Sequence, residues 1–303
     1  MTKEQVIEYS VRGLIPCARA FVKGEPTKKE KVARNIYGNS IWMSLLGRLL
    51  FGSFLRRLTE TWTSTCHKVG MDMYTEDGIG KVWDYLAAMS LQAIEHNLEV
   101  VSDDIQGWEY MYRAWMHEDF HTELLNYYTA LGASEDFQEY AKLYRTIERH
   151  QLIMDSDGYV WLLDFFIQLS GRLLTHCENS ISRAALANMD SPHPGFNAAT
   201  NGDDCISNRA KDLPIQLSPS TRIGFVHTHV EPQEFGCYNF CSQKMFVDSV
   251  TRKAVRVPDG FAKLFANFCN STSTESDEGI LGNLPYPIRF EFVKARNQLN
   301  EFQ

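Results

Sequence analysis

Asp203 and Asp204 follow Gly202 in the run Ala199-Thr200-Asn201-Gly202-Asp203-Asp204-Cys205-Ile206. A Gly-Asp-Asp alone is a common turn sequence. Here it lies behind Ser170-Gly171-Arg172-Leu173-Leu174-Thr175-His176-Cys177-Glu178-Asn179-Ser180, an SGxxxTxxxNS pattern. Further upstream, Leu98-Glu99-Val100-Val101-Ser102-Asp103-Asp104-Ile105 reads as a strand ending in carboxylates. Phosphoryl transfer from a nucleoside triphosphate needs charge neutralisation more than covalent help. Two Mg²⁺ ions about 4 Å apart can activate a 3′-hydroxyl and steady the leaving pyrophosphate. Mg²⁺ prefers carboxylate oxygens and keeps several waters, so a protein doing this chemistry must bring carboxylates from two neighbouring strands to one point. Asp104 at a strand end and Asp203 in a hairpin turn satisfy that requirement, with Asp204 in support. Gly202 supplies the conformation the tight turn needs. Thr175 and Asn179 lie four apart on one helix face, where both can address a ribose 2′-hydroxyl.

The elements that must position these residues alternate between helices and short strands. Apolar residues Ile41, Leu45, Leu46, Leu49, Leu50 and Phe54 recur at three and four, which predicts an amphipathic helix over 40–58. A second helix is expected over 78–95, with Ile79, Val82, Leu86, Met89 and Ala93 inward. Helices are also expected over 110–131, 135–149 and 170–188, the last opening at Ser170-Gly171. Ser156-Asp157-Gly158 is a turn signal leading into extended residues 159–162. Further short strands are expected at 223–226, 238–241 and 244–248, then a small helical end at 264–269 and a polar loop at 270–279. Residues 1–37 read as loop and strand rather than a long helix. The fold class expected is α+β.

The net charge of −8 speaks at first against a nucleic-acid partner. The basic residues are unevenly spread, however. Arg19, Lys23, Lys28, Lys29, Lys31, Arg34, Arg48, Arg56 and Arg57 face only Glu25 and Glu30 in the same stretch, while acidic residues concentrate between Asp72 and Asp164. A positive entrance and a negative, metal-holding centre suit a polymerase. The seven cysteines include no CxxC pair, and their odd number and scatter predict reduced thiols in a cytosolic setting. No apolar run reaches the roughly 20 residues a membrane span requires, and no secretory signal is read at the N-terminus.

These motifs resemble the RNA-dependent RNA polymerases of sobemoviruses, poleroviruses and their relatives. Asp104-Ile105-Gln106-Gly107-Trp108-Glu109 resembles motif A of that family, Ser170 to Ser180 motif B, Gly202-Asp203-Asp204 motif C and Phe240-Cys241-Ser242 motif E. Upstream, 22–36 resembles motif F, with Lys23 and Arg34 in its basic positions. The likeness covers roughly residues 20 to 270, in the order F, A, B, C, E. It implies a right-hand polymerase: fingers over 1–97 with motif F at 20–37, a palm over 98–250 with a fingers insertion at about 130–165, and a reduced, mostly helical thumb over 251–303. It further implies Asp104, Asp203 and Asp204 as holders of two Mg²⁺ ions, for which Mn²⁺ can substitute. Lys23 and Arg34 would contact the triphosphate, and Asn179, with Ser170, Gly171, Thr175 and Glu109, would contact the sugar. The implied partners are template RNA, nascent RNA, ribonucleoside triphosphates and other viral replication proteins. The implied place is the host cytoplasm, in a replication complex that reaches membranes through those partners. Relatives carry a longer front extension, so a fragment of a polyprotein is also expected.

Two positions depart from the family pattern. Motif A closes on Glu109 where relatives have Asp, which extends the carboxylate by one carbon–carbon bond, roughly 1.5 Å. Ile223-Gly224 is followed by Phe225-Val226-His227-Thr228-His229 with no motif D lysine, so His227 or His229 is the expected proton donor to pyrophosphate. Asp103 offers a competing metal-binding register, but it would place Trp108, which cannot accept hydrogen bonds, at the sugar. His117 and His121 at i, i+4 look metal-like, but their order is not HExxH, and they are expected on a solvated helix face. The rival readings are a reverse transcriptase, which usually shows an aromatic residue two before the paired aspartates, and a non-enzymatic RNA-binding protein, nucleocapsid-like or a decayed polymerase.

Overall fold

The computed structural model of the chain describes residues 1–22, 35–163, 165–191 and 197–260, with 264, 265, 268, 269, 293 and 296 beyond them. Lys23, Arg34 and the expected loop at 270–279 lie outside these residues. The chain opens with α1 (Lys3–Val11), β1 (Ala18–Val22), β2 (Asn35–Gly38), α2 (Ile41–Thr61) and α3 (Glu76–Glu95). There follow β3 (Leu98–Ile105), the single turn α4 (Trp108–Met111), α5 (Ala114–Ala130), α6 (Glu135–Arg149), β4 (Ile153–Met154) and β5 (Val160–Trp161). The second half contains α7 (Thr175–Asp190), β6 (Ala198–Asn201), β7 (Asp204–Ala210), the short α8 (Pro219–Arg222) and β8 (His227–Pro232). It continues with β9 (Cys237–Phe240), β10 (Gln243–Val247) and β11 (Ala254–Pro258). Helices and mostly antiparallel strands mixed in this way make an α+β fold.

Two compact units divide the described chain. The first comprises Met1–Lys23, Arg34–Met71 and Met89–Pro232, and the second contains Asp72–Ala88 and the described residues from Gln233 onward. In the first unit an antiparallel sheet runs in the order β6-β7-β3-β8. A second sheet, β2-β1-β4-β5, joins β1 to β4 in parallel. In the second unit β9, β10 and β11 form an antiparallel meander. Trp83 there donates its indole N–H to the Gly236 carbonyl at 3.2 Å.

Local signals explain several helices. Ser134 caps α6 by accepting from the Phe137 N–H at 3.2 Å, and Glu135, Asp136 and Arg149 sit at the ends the helix dipole favours. Thr2 and Gln5 form a reciprocal capping box that starts α1, a helix where loop and strand were expected. Ser218 caps α8 with Pro219 at its first position, so the segment just before 223–226 is helical and strand β8 begins only at His227.

The core of the first unit gathers Phe51, Leu50 and Leu58 of α2, Phe120 and Leu124 of α5, Tyr144 and Ile147 of α6, and Leu174 and Cys177 beside or on α7. Helix α2 buries only part of the face its periodicity implied: Leu50 is buried and Leu46 and Phe54 pack against the core, but Ile41, Leu45 and Leu49 are exposed while Met43, Gly47 and Phe51 are buried. Gly47 allows this packing, because a Cβ there would lie 2.7 Å from the Tyr144 hydroxyl. Helix α3 buries Val82, Leu86, Met89 and Ala93 as expected from its spacing. His117 and His121, expected on a solvated face, are instead almost fully buried, because carboxylates from α6 and α7 meet them there.

Candidate active site

The Gly-Asp-Asp forms a two-residue hairpin turn. Asn201 pairs with Asp204, leaving Gly202 and Asp203 between β6 and β7, and Gly202 takes a φ of +68° that a side chain would resist. The turn is fastened to α7. Ser180 Oγ accepts from the Gly202 N–H at 2.7 Å while donating to the His176 carbonyl at 2.7 Å. Thr200 Oγ1 donates to the Ser180 carbonyl at 2.7 Å, and His176 Nε2 lies 3.0 Å from Asn201 Oδ1. Ser180 and His176 had no role in the sequence reading. Their signal was their place in the same motif, one helical turn apart.

Strand β3 pairs with β7 from Leu98 opposite Ala210 to Asp103 opposite Cys205. Continuing that antiparallel register by one residue sets Asp104 opposite Asp204, where cross-strand Cβ atoms stand about 5 Å apart. Asp104, Asp203 and Asp204 are exposed at this end of the sheet. Asp103 points the other way, as strand alternation requires. Its carboxylate is buried and bound by the guanidinium groups of Arg183 and Arg209, with His227 Nδ1 at 2.5 Å. Burial alone would push the Asp103 carboxyl up, but Arg183, the His227 hydrogen bond and Arg209 outweigh it and hold the group well below the usual carboxylate range. Asp103 is therefore committed to the interior. Trp108 is buried too, in a cluster with Ile105, Tyr112, Met116, Leu186 and Phe225, which agrees with the register that puts Asp104, not Asp103, at the surface.

The same network holds His227, one of the two histidines expected as proton donor. Its side chain is 1% exposed, one ring nitrogen is held by Asp103 and the other lies 2.7 Å from Ser220 Oγ. Ser220 in turn donates to Asp190. Both ring nitrogens thus have partners within the protein, whereas the expected role needs one of them to reach a nucleotide. His229 is exposed and has a φ of +50°. It sits where β8 bulges against β3, between the Ser102–Glu231 and Asp104–Thr228 pairs.

A cavity of about 360 Å³ opens beside the hairpin, lined by Glu109, Ser170, Thr175, Asn179 and Asp203 among others. Five residues singled out from separate motifs thus share one wall. Asn179 Oδ1 accepts from Gln168 Nε2 at 3.1 Å, which leaves the Asn179 NH₂ group to donate into the cavity. Gln168 also accepts from Arg172 at 3.4 Å and donates its backbone N–H to the Glu109 carbonyl at 3.0 Å. This buried glutamine joins the motif A and motif B residues, and no local pattern in the sequence pointed to it. Thr175 is more constrained than expected: its hydroxyl donates to the Leu169 carbonyl at 2.6 Å, so it shapes the loop before α7.

Ser170 and Gly171 precede α7 rather than open it, and they dock on β2. Ser170 Oγ accepts from the Tyr37 N–H at 3.1 Å, and a Cβ on Gly171 would lie 2.1 Å from the Tyr37 carbonyl oxygen. Because that neighbour is backbone, Gly171→Ala must displace β2 or the loop. The expected result is a loss of about 1–3 kcal/mol, read as a lowered midpoint in thermal denaturation.

No protein-family model matches the chain, and no curated protein matches it by sequence. Its structure is similar to that of the RNA-dependent RNA polymerase of a human picobirnavirus, with a TM-score of 0.70 at 10% identity. The insertion-loop deletion mutant of such a polymerase gives a TM-score of 0.67, also at 10% identity. Both alignments cover 92% of this chain but only 55% and 57% of those polymerases. The chain thus has a polymerase-like α+β fold and spans little more than half the length of the proteins it resembles. The likeness is to viral RNA-dependent RNA polymerases and does not single out the sobemovirus and polerovirus group.

Proposed function

We propose that this chain is the catalytic region of a viral RNA-dependent RNA polymerase, adding ribonucleotides to an RNA 3′-end on an RNA template with release of pyrophosphate. One observation carries the reading: a single cavity is lined by Glu109, Ser170, Thr175, Asn179 and Asp203, which come from three separate motifs. Its volume lies within the range of small-molecule sites, and the polymerase-like fold supports the same assignment. Residues 1–97 would serve as fingers, 98–250 as palm with a fingers insertion at about 130–165, and 251–303 as a partial thumb. Kinship with sobemovirus and polerovirus enzymes rests on the motifs alone. Template, nascent RNA, ribonucleotides and other replication proteins are the partners this reading implies, in host cytoplasm.

Asp104, Asp203 and Asp204 suit Mg²⁺, or Mn²⁺ in its place, because they offer several exposed carboxylates at one sheet end and leave room for water ligands. When bound, such ions neutralise charge on the triphosphate and on the attacking oxygen. The protein's own groups would do the rest. Asn179, held by Gln168, donates to the 2′-hydroxyl, and the Glu109 carboxylate accepts from the sugar. Lys23 and Arg34 remain proposed for the triphosphate. His229, the accessible histidine of the two, is the proposed proton donor to pyrophosphate.

The sugar contact gives the test. Asn179→Ala removes a hydrogen bond of the size that discriminates ribose from deoxyribose. Its preference for ribonucleoside over deoxyribonucleoside triphosphates should fall about 10–100-fold, measured as the ratio of kcat/KM values on a primed RNA template. An unchanged ratio in an active variant would remove Asn179 from the sugar site.

A further inference from the structure

Behind the cavity wall, three helices turn polar groups toward one another inside the hydrophobic core. His117 and His121 lie one turn apart on α5, Glu148 is near the end of α6, and Glu178 is on α7. All four are buried, with His117, Glu148 and Glu178 fully inaccessible. His117 Nδ1 lies 2.8 Å from Glu178 Oε1, so Nδ1 donates to the carboxylate and Nε2 is the nitrogen left for a metal. Among the described residues, that Nε2, His121 Nε2 and both oxygens of Glu148 meet no hydrogen-bond geometry, and the Tyr144 hydroxyl beside Glu148 is likewise unpartnered. His121 Nε2 and Glu148 Oε2 are 3.7 Å apart, too far for a hydrogen bond. Unpartnered acceptors turned together in a dry core cost several kcal/mol unless something positive sits among them.

We propose that His117, His121 and Glu148 bind a structural zinc ion, the two Glu148 oxygens serving as its third and fourth donors, with Glu178 orienting His117 from outside. One ligand atom from each of the three lies within 4.8 Å of the others. Zinc holds nitrogen and carboxylate ligands at about 2.0–2.2 Å in a tetrahedron, hence a little over 3 Å from each other, so small side-chain rotations close the set. The donors, two imidazoles and a carboxylate, suit zinc rather than Mg²⁺ or Ca²⁺, which take oxygen ligands. Glu178 completes the usual carboxylate–histidine–metal relay. Arg172, whose guanidinium donates to the Glu148 backbone carbonyl, also lines the cavity. The metal would pin α5, α6 and α7 together directly behind Asn179.

The test is metal content of the full chain, purified in zinc-containing buffer and then dialysed against metal-free buffer. About one zinc per chain is expected for the wild type, with zinc lost from His121→Gln and Glu148→Gln and retained by Asp203→Ala. Glu178→Gln should weaken zinc affinity about 10–100-fold. Should the ligand variants fail to fold, cobalt substitution of the wild type decides: a four-coordinate cobalt spectrum supports the site. Folded wild type that retains no zinc and gives no such spectrum overturns it. So does zinc that persists undiminished in folded His121→Gln and Glu148→Gln. Neither readout depends on polymerase activity.

Discussion

Asp104→Ala should leave a folded protein that no longer incorporates nucleotides, whereas Asp103→Ala, one residue away, should barely fold. Strand alternation sends the two carboxylates to opposite faces of β3, and their surroundings then differ completely. Asp104 is exposed at the sheet end beside the hairpin that carries Asp203 and Asp204. On the proposed role of Asp104 as a metal-holding carboxylate, its loss removes several kcal/mol of transition-state stabilisation, so turnover should drop about a thousandfold or more. An exposed Asp→Ala change at a strand end alters stability by only about 0.5 kcal/mol. Single-turnover kinetics and a thermal melt on one preparation separate the two effects.

The second large effect is the cost of Asp103→Ala. The substitution leaves Arg183 wholly inaccessible and Arg209 nearly so, with Asp190, 3.5 Å from Arg209, as the remaining ion-pair partner among the described residues. Removing one member of a buried ion cluster costs about 3–5 kcal/mol, a large part of the 5–15 kcal/mol that about spans the stability of a typical domain. Denaturant titration should show it. The pH dependence has a definite sign. Because the native carboxyl titrates well below its unfolded value, its stabilising contribution is complete above about pH 4. It fades only as the solution is acidified toward the depressed native value. The wild type should therefore keep this part of its stability through mildly acidic pH, and the variant should lack it at every pH.

The parts of the fold legible in the sequence are those set by local chemistry. β3 ends one residue beyond its paired aspartates, and α6 has Ser134 before an acidic first turn. Both follow from spacing and caps within a few residues. The cavity residues were legible for a different reason, since the motifs had been linked by resemblance before any geometry. Neither source could reveal which side of α2 is buried: Ile41, Leu45 and Leu49 keep a helical period as well as Met43 and Leu50 do, and packing against Tyr144 decides between them. The Asp103 network was hidden because its partners are 80, 106 and 124 residues away. That distance also explains why His227 read as an available acid and why His117 and His121 read as solvated. In each case the deciding group belongs to another element.

The most direct test of the central claim is ribonucleotide incorporation on a primed homopolymer RNA template with Mg²⁺ or Mn²⁺, comparing the wild type with Asp203→Ala. The account predicts template-dependent incorporation by the wild type and none by the variant, with matching thermal melts. An equally well-folded Asp203→Ala protein that incorporates at the wild-type rate would contradict it.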